Sequence, residues 1–182
     1  MKPLFIKEFV PKQIFNILNS YSIIKYSNLK NIEPCSQSNS LITQYADPLM
    51  ETLMDMSTGV IEQNVGKKLF PTYSFFRIYD KGSDLPIHVD RPSCEYTVAL
   101  CLGCEPADKP YNIYVGEEDK SSAFEMFPNN ALIFQGMENL HWREECHHDH
   151  FITVFLHYVD QEGKYSEHKY DKRDQLGLDK VK

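Results

Sequence analysis

The sequence predicts a mostly β protein, an antiparallel barrel or sandwich braced by two N-terminal helices. Three observations predict it. Apolar residues recur at helical spacing in two stretches before Pro71. After Pro71 the period falls to two, and short runs rich in aromatic and β-branched residues follow one another. Gly, Pro and Asn turns separate these runs, with no helical pattern between them. The composition can support a packed core: 42% of the 182 residues are hydrophobic and 13% aromatic, which excludes wholesale disorder.

Residues 11–22 read as the first helix, with Pro11 suited to a first turn and Ile14, Phe15, Ile17 and Leu18 on one face. The polar stretch NLKNIEPCSQSNS reads as loop. Asp47-Pro48 reads as an N-cap followed by Pro at the first helical position. Met50, Leu53, Met54, Val60, Ile61 and Val65 then form a core-facing stripe up to about Lys68. The strands are TYSFFRIY, LPIHVD after the turn DKGSD, EYTVALCLG, YNIYV, ALIFQG and the long FITVFLHYVD. From Gln161 the chain is polar and reads as a partly mobile tail. The expected organisation is a helical support over residues 1–70, a β core over 71–160 and a polar tail over 161–182.

No apolar run reaches the ~18–20 residues of a membrane span. The N-terminus MKPLFIKEFVPKQ carries charges inside its apolar stretch and lacks a small-residue cleavage site. Five Cys suggest free thiols in a reducing, cytoplasmic setting. Cys101 and Cys104 form a Cys-x-x-Cys, but Cys35 and Cys146 do not supply the second pair of a structural zinc site. A net charge of −7 disfavours general nucleic-acid coating. Only four Arg occur, at 77, 91, 143 and 173, and three of them lie in the segments that carry candidate chemistry.

His88-Val89-Asp90 places an imidazole and a carboxylate on one side of an extended strand. A third ligand from a later strand completes a two-His, one-carboxylate face, the arrangement of non-haem Fe(II) oxygen chemistry. With 7 His and 26 acidic residues in 182, about one His-x-Asp/Glu is expected by chance, and His147-His148-Asp149 is a second instance. That second instance lies in HHDH, between strands, and reads as a solvated turn. His141, after ALIFQGMENL, is the favoured third ligand over His157, which reads as a core residue or a partner of a Tyr.

The run from Arg77 to Asp90 resembles the core motif of Fe(II)/2-oxoglutarate dioxygenases, in the prolyl-hydroxylase-like branch. Tyr79 precedes His88 by nine residues and Gly82 by three, and Asn129–Phe134 up to His141 is similar to the segment before the distal His. The resemblance spans about Pro71 to Asp160. It implies a double-stranded β-helix (a jelly-roll barrel) with Fe(II) on His88, Asp90 and His141. It also implies that 2-oxoglutarate and O2 are consumed to give succinate and CO2 as a C–H bond is hydroxylated. In the family, the far carboxylate of 2-oxoglutarate is usually held by Arg or Lys at the start of the last strand, some ten residues after the distal His. This chain departs from that pattern: His150 stands nine after His141, and no Arg or Lys lies between Arg143 and Lys164. The candidates for this role are His150, Arg143, Arg77 and Tyr79. Arg91, next to Asp90, is a candidate for a substrate carboxylate or phosphate, or for a partner that orients Asp90. A small molecule or a protein side chain is the expected substrate, with nucleic acid disfavoured and oligomeric state open. The competing reading is a jelly-roll that binds a metal or ligand without turnover.

Overall fold

The computed structural model describes residues 1–28 and 42–178. The elements run β1 (Leu4–Ile6), α1 (Lys12–Asn28), β2 (Ile42–Tyr45), α2 (Pro48–Val65), β3 (Leu69–Asp80), β4 (Leu85–His88), β5 (Tyr96–Glu105), β6 (Tyr111–Val115), β7 (Ser122–Met126), β8 (Ala131–Phe134), β9 (His141–Arg143) and β10 (His150–Asp160). They build a six-stranded sheet, β1-β8-β5-β10-β3-β2, and a four-stranded sheet, β4-β9-β6-β7. Every pairing is antiparallel.

The large sheet is covered on both faces. One face, with Phe76, Ile78, Val98, Leu100, Val154 and Leu156, packs on Leu18 of α1 and on Met50, Met54 and Ile61 of α2. The other, with Tyr79, Ala99, Cys101, Phe151 and Phe155, meets Ile113, Val115 and Met126 of the small sheet. Burial on both faces is why β10 reads as a nearly unbroken apolar run.

Asp47 anchors the helical layer. Its Oδ1 accepts the Leu49 and Met50 N–H groups, capping α2. Its Oδ2 accepts the Tyr21 hydroxyl and pairs with Lys25 at 2.5 Å, which ties α1 to α2. Gly66, at φ 72°, closes α2 in the left-handed conformation that glycine adopts without steric cost. The first helix runs to Asn28 and docks through Phe15, Leu18, Tyr21 and Ser22. Ile14 and Ile17, expected on the docking face, are exposed, as is Val60 on α2. The loop expected between the helices lies almost entirely outside the described residues.

Two differences concern the ends of the chain. β1 and β2, of three and four residues, are too short to carry a readable alternation, yet they cap the two edges of the large sheet. The segment expected as a mobile tail instead folds back over Ser166–Lys172. Asp171 is buried there against Arg91 at 2.8 Å, and Arg173 joins Glu51 of α2 at 2.6 Å. Polar composition hides this docking, because its partners are charges distant in sequence.

Asp47→Ala removes the cap and leaves Lys25 without its buried partner, so urea denaturation should show a loss of about 2–4 kcal/mol. Asp47→Asn, which keeps a capping oxygen, should lose less. Equal losses would show that the cap is irrelevant.

Candidate metal centre

β4 and β9 are neighbours, and their register sets His88 opposite His141. The two rings lie 4.2 Å apart. Each Nδ1 is engaged by a carbonyl two residues earlier: His88 by Pro86 at 2.8 Å, His141 by Asn139 at 3.0 Å. Nδ1–H therefore donates to backbone, and both Nε2 lone pairs are left for a ligand. Both Nε2 atoms face Asp90 Oδ1, at 3.6 Å and 3.5 Å. The ligand atoms of His88, Asp90 and His141 all lie within 4.8 Å of one another.

Asp90 is held from three sides. Its N–H donates to the Gly136 carbonyl at 2.8 Å. Thr97 Oγ1 donates to Oδ2 at 3.0 Å and contacts His157 Nδ1 at 3.1 Å. Burial pushes the Asp90 carboxyl up, but His141 and Thr97 more than offset it and hold it below the usual carboxylate range. Burial, then the neighbouring His141, lowers His88, which favours the neutral imidazole that ligation requires. Gly136 permits this packing: a Cβ there would fall on Asp90 Oδ2 and within 2.6 Å of Thr97 Oγ1 and the Cys94 carbonyl.

His88 and Asp90 open onto a cleft of about 410 Å³ walled by Tyr45, Tyr73, Phe75, Val89, Arg91 and Cys94. Both also line, now with His141, a space of about 40 Å³ shared with Arg77, Leu85, Phe155 and His157. Two imidazole nitrogens and one carboxylate oxygen, with one side open, suit a divalent transition metal such as Fe(II). A second grouping, Asp90 with Cys94 and His157, is less suited: burial pushes the Cys94 thiol up, so it stays protonated.

The other sequence candidates divide. Tyr79 is fully buried on the inner face, between Arg77 and Arg143, whose guanidinium carbons lie 5.8 Å and 5.4 Å from its ring centre. Arg77 Nη1 donates to the Tyr79 hydroxyl at 3.3 Å. Arg143 points inward with His141. His150 does not join them. Along β10 the odd positions Phe151, Phe155 and His157 face the small sheet, and the even positions face the helices. His150 is even and lies against Tyr26 of α1 at 4.8 Å, so it is not placed to meet an anion inside the barrel. Arg91 walls the cleft with its flank on Tyr73, 4.4 Å from the ring centre. Its fork is engaged by Asp171, with Ser93 accepting from Nη1 at 2.9 Å. Its guanidinium is thus turned to Asp171 and Ser93, not to the Asp90 carboxylate. His157 sits behind Asp90, 4.5 Å from the Tyr73 ring. His147 is exposed, as expected of a turn, but His148 is buried and meets the Lys109 carbonyl at 3.0 Å. Sequence reasoning missed Thr97, Gly136 and Asp171; only Gly136 had a signal, a glycine closing the ALIFQG strand.

No family profile matches the chain, and no curated protein matches its sequence. Solved structures do match in fold. A prolyl-4-hydroxylase from Pseudomonas putida aligns over 87% of this chain and 92% of its own, at TM-score 0.66 and 13% identity. A viral collagen prolyl hydroxylase from Paramecium Bursaria Chlorella virus-1, solved with 2-oxoglutarate, covers 87% and 96%, at TM-score 0.63 and 13% identity. The epimerase SnoN from nogalamycin biosynthesis, solved with Fe3+ and α-ketoglutarate, covers 87% and 78%, at TM-score 0.67 and 9% identity. The chain has the fold of the 2-oxoglutarate/Fe(II) oxygenases.

Two outcomes follow from this geometry. Gly136→Ala should displace Asp90 and weaken Mn(II) affinity about tenfold or more in calorimetric titration, with the far-ultraviolet circular dichroism retained. Unchanged affinity would free Asp90 from this role. Burial pushes His157 down to about 4. Between there and its ordinary value near 6.5, the unfolded chain takes up a proton that the folded one refuses. Stability is therefore full above about pH 6.5 and falls as pH drops toward 4, by on the order of 2–3 kcal/mol. Urea titrations of metal-free protein should show this slope, flattened in His157→Phe; an equal slope in both would assign it to other groups.

Proposed function

We propose that the protein is an Fe(II)- and 2-oxoglutarate-dependent dioxygenase that hydroxylates a C–H bond of a small molecule or a protein side chain. One observation carries this reading: two carbonyl-oriented imidazoles turn their Nε2 atoms to one oxygen of Asp90 at the floor of an open cleft. The likeness of fold supports it. His88, Asp90 and His141 are the metal ligands in this proposal.

The inner wall also fits the cosubstrate. Arg77 and Arg143, both buried, flank Tyr79, and such a wall favours a dianion. Fe(II) held by His88, Asp90 and His141 together with 2-oxoglutarate would let O2 act as the oxidant, one oxygen atom ending in succinate as the keto acid loses CO2 and the other in the hydroxyl of the substrate's C–H carbon. The protein's part is placement. The Pro86 and Asn139 carbonyls keep both imidazoles in the ligating tautomer. Thr97 holds the second oxygen of Asp90 and keeps the carboxylate turned toward the histidines. Tyr73, Phe75 and Phe155 exclude water around the donors, and Arg91 with Tyr45 walls the approach of substrate.

Within this reading the β region 71–160 is a double-stranded β-helix that carries every proposed site residue, residues 1–70 brace it, and 161–182 are appended. Among the described residues no helix is long and apolar enough to cross a membrane. The buried free thiols Cys94, Cys101, Cys104 and Cys146 suit a cytoplasmic protein.

The experiment is anaerobic: Fe(II), then 2-oxoglutarate, added to metal-free protein. A visible charge-transfer band is expected in wild type and should vanish in His88→Ala and His141→Ala. Fe(II) binding without the band would leave a metal-binding module; no Fe(II) binding would remove the oxygenase reading.

A further inference from the structure

We infer that this chain has moved its anchor for the far carboxylate of 2-oxoglutarate from the last strand to Arg143 on β9, two residues beyond the distal ligand. The inference rests on the proposed cosubstrate and concerns how this chain holds it. Where the resembled family usually carries Arg or Lys at the start of the last strand, the inward residue here is Phe151, fully buried. His150 beside it faces α1. No cation occupies the usual place.

Arg143 meets the need from the neighbouring sheet. It is 2% exposed, and its Nη1 is tethered by the Tyr111 and Asn112 carbonyls at 2.9 Å and 3.1 Å. Its Nε and Nη2 have no hydrogen-bond partner among the described residues. An arginine buried with one edge satisfied and the other bare is costly, because the protein removes its water and gives nothing back. The bare edge is the side-on pair of donors, which matches the two oxygens of a carboxylate. Tyr79, Tyr111 and Phe151 ring the guanidinium at 4.8–5.4 Å and hold it flat.

The placement also suits the length of the ligand. Two residues of strand advance ~6.6 Å, the order of the span from the chelating end of a five-carbon diacid to its far carboxylate. Arg77 sits elsewhere, lining the small space with the three metal ligands, at the chelating end. The Phe151 ring packs 4.9 Å from the guanidinium carbon, so apolar residue and cation have exchanged strands at one point of the barrel.

The test is calorimetric binding to full-length, Mn(II)-loaded protein, with 2-oxoglutarate and with pyruvate, which chelates alike but lacks the far carboxylate. Wild type should favour 2-oxoglutarate by about 30-fold, and Arg143→Met should erase that preference while leaving pyruvate affinity within about twofold. His150→Ala should change neither. Arg143→Lys, which keeps the charge and loses the fork, should recover part of the preference and guards against misfolding of the Met variant. Phe151→Arg in the Arg143→Met background, returning the cation to the last strand, should restore about tenfold. A preference that survives Arg143→Met, or falls in His150→Ala, would overturn the relocation and leave the proposed function standing. A wild type that binds both keto acids equally, or neither, would overturn both.

Discussion

The site depends on how one carboxylate is shared. Asp90 turns Oδ1 to both histidines and gives Oδ2 to Thr97, while its own N–H is fixed by Gly136. Four structural segments thus converge on three atoms of Asp90. β4 and β9 set the histidines side by side, β5 brings Thr97, and the turn after β8 brings Gly136 close enough that no side chain fits between. A buried carboxylate without such partners would take up a proton; with them Asp90 stays ionised, which suits a divalent cation.

The two sheets have different duties. The large sheet, buried on both faces, is the rigid wall, and its thickness is set by the helices that Asp47 binds together. The small sheet carries both histidines and Arg143, so the polar chemistry sits on the thinner layer, where one face meets the core and the other meets solvent. This division explains why substitutions in the helical layer should affect stability, whereas those around β9 should affect ligand binding.

Much of the architecture was legible. Asp47-Pro48 marked α2, the period change at Pro71 marked the first core strand, and the i, i+2 rule joined His88 to Asp90 on one side of the chain. His141 was favoured over His157 from its place after ALIFQGMENL, and the resemblance added a spacing; β9 itself has three residues and no alternation to read. His150 and Arg143 show the limit. Strand parity alone separates an inward from an outward residue, and the β5–β10 register shifts between Ile152 and Thr153, which counting from His141 does not reveal. β1, β2 and the Arg91–Asp171 pair escaped for another reason: their partners lie far away in the chain, and no local pattern announces a long-range contact.

Anomalous diffraction from crystals grown with Mn(II) and 2-oxoglutarate tests the central claim most directly. The account predicts one manganese peak within bonding distance of His88 Nε2, Asp90 Oδ1 and His141 Nε2, with the keto acid chelating it from the cleft side. A peak on Asp90, Cys94 and His157 instead, or no ordered metal at His88 and His141, would contradict it.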